Sequence, residues 1–391
     1  MPIESSSPEL ARWLELAQSL LEQPTAALIE NLPQKFVREF AAARPNLKLS
    51  DDAAGNLRID YSSGSASRPP LVMVAHLDHP GFHVAKIDGD VAELMFLGSV
   101  SGKHAIQGSR IEFYALGNPD PLGEGELIER DERTGSLRTA KAKITSGTAA
   151  TGGFAMWAFP GFSLEIETSN PGLSRAHPGK IVTRCCDDLL GAAAALSVLD
   201  EISRLAPENV ALTALFTRAE EIGFLGTMEA IRLGTLPKNA CVLSLECSKA
   251  FVNAPQGGGV IVRVGDAASI FDPGLTHALS LAAKKRAERD PTFKFQRKLM
   301  DGGVCEATPF CAHGFRASGL AMPLGNYHNQ AFDAHDQPCM GPESVHVDDF
   351  RCEIELLVEL ALHPELLDEE HDKLTPRLKE LAIKAQELLK R

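Results

Sequence analysis

The acids and histidines most suited to chemistry follow apolar runs. LVMVA (71–75) leads into His76-Leu77-Asp78-His79, and NVALTALFT (209–217) into Arg218-Ala219-Glu220-Glu221. CVLSL (241–245) leads into Glu246, SGLAMPL (318–324) is followed closely by Tyr327-His328, and Asp187-Asp188 follows KIVTRCC at the head of an apolar helical stretch. In an open α/β sheet the ligand crevice lies beyond the carboxyl ends of the strands, so donors far apart in sequence can converge there. Two histidines and three carboxylates without a thiolate suit zinc, with cobalt or manganese possible, better than calcium. The expected metal set is His76, Asp187, Glu221, Glu246 and His328, holding two divalent ions with Asp187 between them.

Each piece has a plainer reading on its own. His76-x-Asp78 is weak alone, but residues two apart in an extended segment share a face. Asp78 can then take the far ring proton of His76 and aim the other nitrogen at a metal. Glu220-Glu221 would suit a helix N-terminus, whose dipole favours acids. Yet two adjacent carboxylates after a buried strand also supply one ligand and one general base, with Glu220 as the base. Asp187 would serve equally as a helix cap. His79, His83, His104, His313, His335 and His346 read as polar loop or satisfied histidines, with His335 and His346 the competitors to His328. Cys185 and Cys186 read as packing residues.

These residues need a scaffold, and the pattern supplies one. The apolar runs read as buried strands, and DLLGAAAALSVLDEISRL (188–205) and FLGTMEAIRLG (224–234) between them as helices. That alternation predicts an α/β fold with a mainly parallel sheet flanked by helices. Residues 84–176 break the rhythm with Gly, Thr, Ser and alternating apolar residues, as in RIEFYAL and GFSLEIET, and predict an inserted small β-barrel domain. The catalytic domain is then discontinuous, 1–83 and 177–391. Ser7-Pro8 predicts a helix start, with Leu10, Trp13, Leu14, Ala17 and Leu21 on one face. A second helix is expected over Thr25–Ala43 with a break near Pro33. Leu378, Leu381, Ala385 and Leu388 predict an amphipathic terminal helix that packs.

Composition narrows the function class. A formal net charge of −13 on 391 residues argues against a nucleic-acid backbone as partner. The 8 cysteines form no C-x-x-C pair and read as reduced thiols of a cytoplasmic protein. MPIESSSPELARW has no basic segment before an apolar run, so no signal peptide is expected, and no stretch reaches the ~20 apolar residues of a membrane span.

Taken together, VAHLDHPGFHV (74–84), CCDDLLGAAAAL (185–196), AEEIGFLGT (219–227), LSLECS (243–248) and PLGNYHN (323–329) resemble the M42 metallo-aminopeptidases, within the wider clan of co-catalytic zinc peptidases. GGVCEATPF (302–310) is similar to that family's segment before its last strand, and PESVHVDDF (342–350) to the start of its final helix. The extra domain falls between His76 and Asp187, as in M42 enzymes. The M20 relatives place theirs in the interval between Glu246 and His328, which is too short for one here. The resemblance implies an aminopeptidase acting on short peptides, with His76 and Glu246 on separate ions bridged by Asp187. Glu221 and His328 would complete the two sites, Glu220 would be the base and Asp78 the orienter. It also implies a cis peptide between Asp187 and Asp188 and a homo-oligomer, a dimer or larger. The chain departs from the family at Leu189, where an arginine is usual, at Glu246, where aspartate is usual, and at Gly325-Asn326-Tyr327. Carboxypeptidase or N-acyl amino acid deacylase (amidase) chemistry at the same site, and an inactive scaffold, remain alternatives.

Overall fold

The structure, a computed structural model, describes residues 7–64, 68–167, 177–368 and 374–389. The first six residues, where a signal peptide was not expected, and the insert boundary at 176 lie outside them.

The chain opens with helices α1 (Pro8–Leu21) and α2 (Asn31–Ala42), then strands β1 (Leu47–Asp51), β2 (Leu57–Ser62) and β3 (Leu71–His76). Ser7 caps α1 by accepting the Leu10 N–H at 3.2 Å. The second helix is shorter than the expected Thr25–Ala43. It starts at Asn31, so that Pro33 falls in the first turn, where its missing N–H costs nothing. Six strands follow: β4 (Gly81–Asp88), β5 (Val91–Leu97), β6 (Arg110–Tyr114), β7 (Gly123–Arg133), β8 (Ser136–Gly147) and β9 (Phe154–Trp157). They close a barrel in the order β4-β5-β8-β7-β6-β9. The chain returns through β10 (Ser163–Glu167) and β11 (His177–Thr183), then α3 (Leu189–Leu205), β12 (Ala211–Thr217), α4 (Leu225–Leu233), β13 (Cys241–Lys249) and β14 (Val260–Asp266). The remaining elements are α5 (Pro273–Arg289), β15 (Phe295–Met300), α6 (Ala307–Ala312), β16 (Arg316–Gly325), β17 (Gln330–Phe332), β18 (Pro338–Met340), β19 (Glu343–His346), α7 (Val347–Leu362) and α8 (Leu374–Leu388).

The large sheet has 11 strands along the path β1-β2-β12-β3-β13-β16-β19-β11-β10, with β14 beside β16 and β15 beyond it. Its centre, β12-β3-β13-β16, is parallel, and the strands outside that centre on the main path pair antiparallel. The central strands are buried on both faces because alternate side chains enter different cores. Leu71, Met73 and Ala75 join the main core with α1, α3 and α7, whereas Val72 and Val74 join Ala230 of α4 and Phe310 of α6. The alanines of α3 are fully buried, and their small side chains let the helix lie close against sheet and neighbouring helices.

The barrel grows directly out of the loop after β3. Its strands span Gly81–Trp157, and β10 already pairs with β11 in the large sheet. Its separate core is built on Phe82, whose ring meets Phe96 at 4.9 Å and Trp157 at 5.0 Å edge-on. The expected packing of the terminal helix is not found: Leu378 and Leu381 of α8 are each 51% exposed and Leu388 is 54% exposed. Within residues 342–350, Glu343–His346 form β19 and the helix begins at Val347.

Phe82 is fully buried. Phe82→Ala should therefore cost about 3–5 kcal/mol of stability, read as a lowered midpoint in denaturant unfolding. An unchanged midpoint would mean that the barrel core does not contribute to the measured transition.

Candidate metal centre

All seven residues singled out from sequence come together at the carboxyl ends of the central strands. His76 ends β3, Glu220 and Glu221 follow β12, Glu246 lies on β13, His328 follows β16, and Asp187 precedes α3. His76, Asp187 and Glu246 offer one ligand atom each within 4.8 Å of one another, and so do Asp187, Glu221 and His328. The two trios share Asp187. In this grouping His76 and Glu246 fall in one trio, where the resemblance implies separate ions. A third set, His76, Glu220 and Glu221, meets the same limit.

Each histidine is aimed from behind. The Nδ1–H of His76 donates to the Asp78 backbone carbonyl at 3.1 Å, with the Asp78 carboxylate farther at 3.5 Å. The expected role of Asp78 is thus filled by its carbonyl. Its carboxylate does something the sequence did not suggest: it accepts the N–H groups of Glu220 at 2.9 Å and Glu221 at 3.1 Å, fixing the turn that carries both acids. His328 donates Nδ1–H to the Ser99 carbonyl at 2.7 Å. Ser99 follows the barrel strand β5, so the barrel segment reaches the site. In both rings Nε2 is left facing carboxylates: Asp187 at 3.4 Å from His76, and Glu221 at 3.2 Å and Asp187 at 3.6 Å from His328.

The backbone is held in costly shapes here. Ala219 (φ 52°) and His328 (φ 52°) both lie in the left-handed region, at about 1–2 kcal/mol each. Buried carboxylates hold both turns. Glu30 accepts the Ala219 N–H at 3.1 Å and pairs with Arg218, and Glu343 accepts the His328 N–H at 2.8 Å. Glu343 also accepts from Cys186 at 2.7 Å and Asp187 at 3.0 Å, tying two loops to one carboxylate. The Asp187–Asp188 peptide is cis. His79 joins the same support, between the Asp187 carbonyl at 2.6 Å and Asn329 Oδ1 at 3.0 Å. Neither Glu343 nor His79 stood out in sequence. Glu343 follows Pro342 in an otherwise unremarkable PES segment, and a lone histidine carries no signal.

The competitors lie elsewhere. His335 is exposed in a turn, and His346 caps α7 by accepting the Asp348 N–H. His104 donates to carbonyls at Ala331 and Cys339, and His313 to the Pro309 carbonyl. All eight cysteines are free.

The electrostatics show a cluster short of positive charge. Burial, reinforced by neighbouring acids, pushes the Glu220 carboxyl well above the usual range and that of Glu246 to about 8. Burial alone would lower His76 and His328, but the acids around them outweigh it and hold both well above the ordinary value. Asp187 Oδ1, Glu221 Oε1 and both Asp188 oxygens are buried without a hydrogen-bond partner among the described residues. Glu306, bonded to Thr217 and Thr227, adds another buried acid. Nitrogen and oxygen donors at about 2.0–2.2 Å around a tetrahedral zinc stand about 3.3–3.6 Å apart, close to the 3.2, 3.4 and 3.6 Å separations of the histidine Nε2 atoms from Glu221 and Asp187 here. The donor set therefore fits one or two divalent cations. The site opens into a cavity of about 200 Å³ lined also by Phe224, Arg263, Met300 and Tyr327.

The M42 glutamyl aminopeptidase family matches residues 165–337, somewhat less than half the chain, a stretch that includes Asp187, Glu220, Glu221, Glu246 and His328. That match makes the chain an enzyme of the peptidase class. No curated protein matches the sequence. The fold is shared with aminopeptidase APDkam598 from the archaeon Desulfurococcus kamchatkensis: TM-score 0.70 at 17% identity, covering 92% of this chain and 97% of that one. A TET aminopeptidase from a marine-sediment Thaumarchaeota archaeon gives TM-score 0.71 at 17% identity, over 91% and 99%. The Pyrococcus horikoshii TET1 peptidase, which can assemble into a tetrahedron or a large octahedral shell, gives 0.65 at 18%, over 89% and 99%.

Glu343→Ala would leave three backbone N–H groups without their acceptor. It should weaken divalent-metal affinity by about 10–100-fold, measured by zinc titration against a competing chelator. Wild-type affinity would contradict the support assigned to Glu343.

Proposed function

We propose that this chain is a dinuclear metal-dependent aminopeptidase acting on short peptides. The observation that carries the reading is the pair of donor trios sharing Asp187, with Glu220 beside both. His76, Asp187 and Glu246 would hold one ion and Asp187, Glu221 and His328 the other, zinc being the best match to the donors. When bound, such ions supply a Lewis acid for the scissile carbonyl and an acidified water.

The protein's own groups do the rest. Glu220 takes the proton of the attacking water and hands it to the leaving amine as the peptide bond breaks. The carboxylate of Asp78 holds the Glu220–Glu221 backbone in place, so the base and its neighbouring ligand move together. The carbonyls of Asp78 and Ser99 fix the tautomers of His76 and His328.

In this reading residues 84–176 make up most of an inserted domain, and its barrel, which begins at Gly81, is the surface through which copies assemble. Free thiols at all eight cysteines agree with a cytoplasmic setting. Among the described residues no helix is long and apolar enough to cross a membrane.

Glu220→Gln should retain its metal, by elemental analysis, and lose about 10²–10⁴-fold in kcat on aminoacyl chromogenic substrates. Full turnover in that variant refutes Glu220 as the base. Dialysis of the wild type against a strong chelator should abolish activity, and zinc, cobalt or manganese should restore it; undiminished activity in metal-free protein contradicts the dinuclear reading.

A further inference from the structure

One wall of the cavity carries a hydroxyl that this chemistry does not use. Tyr327 lines the cavity beside the residues of both donor trios. Its ring lies flat on the ring of its neighbour His328, with 3.7 Å between centroids and 22° between planes. It also packs against the main core. The turn that carries it is tightly held. Asn326 (φ 55°) and His328 (φ 52°), on either side, both lie in the left-handed region. Asn326 donates its amide to the Pro342 carbonyl at 2.8 Å, Glu343 accepts the His328 N–H, and Gln330 donates to the Tyr327 carbonyl at 3.2 Å. The ring therefore has little freedom to leave the histidine.

The hydroxyl has no partner of its own among the described residues. The chain has 3 tyrosines, and the other two bond theirs: Tyr61 to the Pro207 carbonyl at 2.9 Å and Tyr114 to Arg184 at 2.6 Å. Gly303 faces the Tyr327 hydroxyl, where an added Cβ would stand 3.7 Å from its oxygen and meet nothing else within 4 Å. The hydroxyl thus reaches into the space between His328 and the 302–303 segment. A phenol keeps its proton at neutral pH and donates one hydrogen bond, whereas an ionised carboxylate only accepts. A donor held against a ligand histidine suits the atom that gains negative charge when a peptide carbonyl is attacked. The resemblance assigns Tyr327 no role, because Gly325-Asn326-Tyr327 departs from the family pattern.

We propose that Tyr327 is a catalytic residue whose hydroxyl donates a hydrogen bond to the scissile carbonyl oxygen as that oxygen becomes an oxyanion. The water oxygen adds to the carbonyl carbon, the carbonyl π pair moves onto its oxygen, and Glu220 takes the water proton. Tyr327 keeps its own proton and shares it with the oxyanion. The oxyanion pair then re-forms the C=O bond, the C–N pair leaves with the amine, and the amine takes the proton from Glu220. This deepens the peptidase reading and rests on it.

The test compares the zinc-loaded wild type with Tyr327→Phe, which loses the oxygen and keeps the stacked ring. On unblocked dipeptides such as Ala-Ala, kcat should fall about 10–100-fold with KM nearly unchanged, the worth of one hydrogen bond to a charged oxygen. Zinc content by elemental analysis should stay at the wild-type value. Isothermal calorimetry with two Ala-Ala analogues gives a readout apart from turnover. The phosphinic analogue carries anionic oxygens on a tetrahedral phosphorus, and the reduced amide lacks the carbonyl oxygen. Tyr327→Phe should bind the phosphinic analogue about 10–100-fold more weakly and the reduced amide as tightly as the wild type. Unchanged kcat, or an equal loss of affinity for both analogues, overturns the proposal while leaving the peptidase reading intact. A wild type that hydrolyses none of the dipeptides counts against the peptidase reading instead. The phosphinic comparison then still decides Tyr327, since equal affinity in the two proteins overturns it.

Discussion

The acids Asp187, Glu220, Glu221, Glu246 and Glu306 lie buried or nearly so around two imidazoles, at the carboxyl edge of the parallel strands. Removing an ionised carboxylate from water costs several kcal/mol even after relaxation. A fold that gathers this many must either keep them protonated or provide cations. Burial favours the protonated form of Glu220 and Glu246, whereas His328 and His76 hold the Asp187 carboxyl below its ordinary range despite its burial. The unpartnered oxygens of Asp187 and Glu221 mark where positive charge is missing. Much of the surrounding architecture restrains this cluster: Asp78 on the Glu220–Glu221 turn, Glu30 on the turn before it, and Glu343 across the loops bearing Asp187 and His328. Gly191 belongs to the same restraint, since a Cβ there would come within 2.2 Å of an Asp188 carboxylate oxygen.

The strands that carry the site were legible because apolar runs buried on both faces announce a parallel sheet, and the polar residue ending each run marks its carboxyl edge. His76, Glu220, Glu221 and Glu246 could be read that way. His328 was separable from His335 and His346 because it follows its strand closely, whereas His346 begins a helix and His335 sits in an exposed turn. The supporting layer was not legible. Glu343, Glu30 and His79 work through backbone N–H and carbonyl groups contributed by other segments, and no spacing in the chain encodes those partners. Asp78 shows the same limit from the other side. Its proximity to His76 was readable, but the use of its carbonyl for the ring and its carboxylate for a distant turn depends on the turn's path. The exposed apolar residues of α8 show that a helical stripe in sequence states a capacity to pack and not what it packs against.

Two departures from the family pattern find a place in the structure. Leu189 is fully buried at the head of α3 in the main core, where it packs instead of reaching the site. Glu246 sits inside β13, three residues before its end, and Ser244 donates to its carboxylate at 3.0 Å. The longer side chain still brings an oxygen within the donor trio. The barrel is also more than an appendage, because the Ser99 carbonyl that orients His328 belongs to the segment following β5. Disturbing the barrel should therefore reach the site through that one hydrogen bond.

The central claim is that Asp187 is shared by two cation positions. Metal stoichiometry by elemental analysis after zinc loading and gel filtration tests it most directly, on the wild type beside Asp187→Ala, Glu246→Ala and His328→Ala. The account predicts about two zinc ions per chain in the wild type, one fewer in Glu246→Ala and in His328→Ala, and loss of both in Asp187→Ala. A wild type that retains no zinc, or an Asp187→Ala variant that retains the full complement, contradicts it.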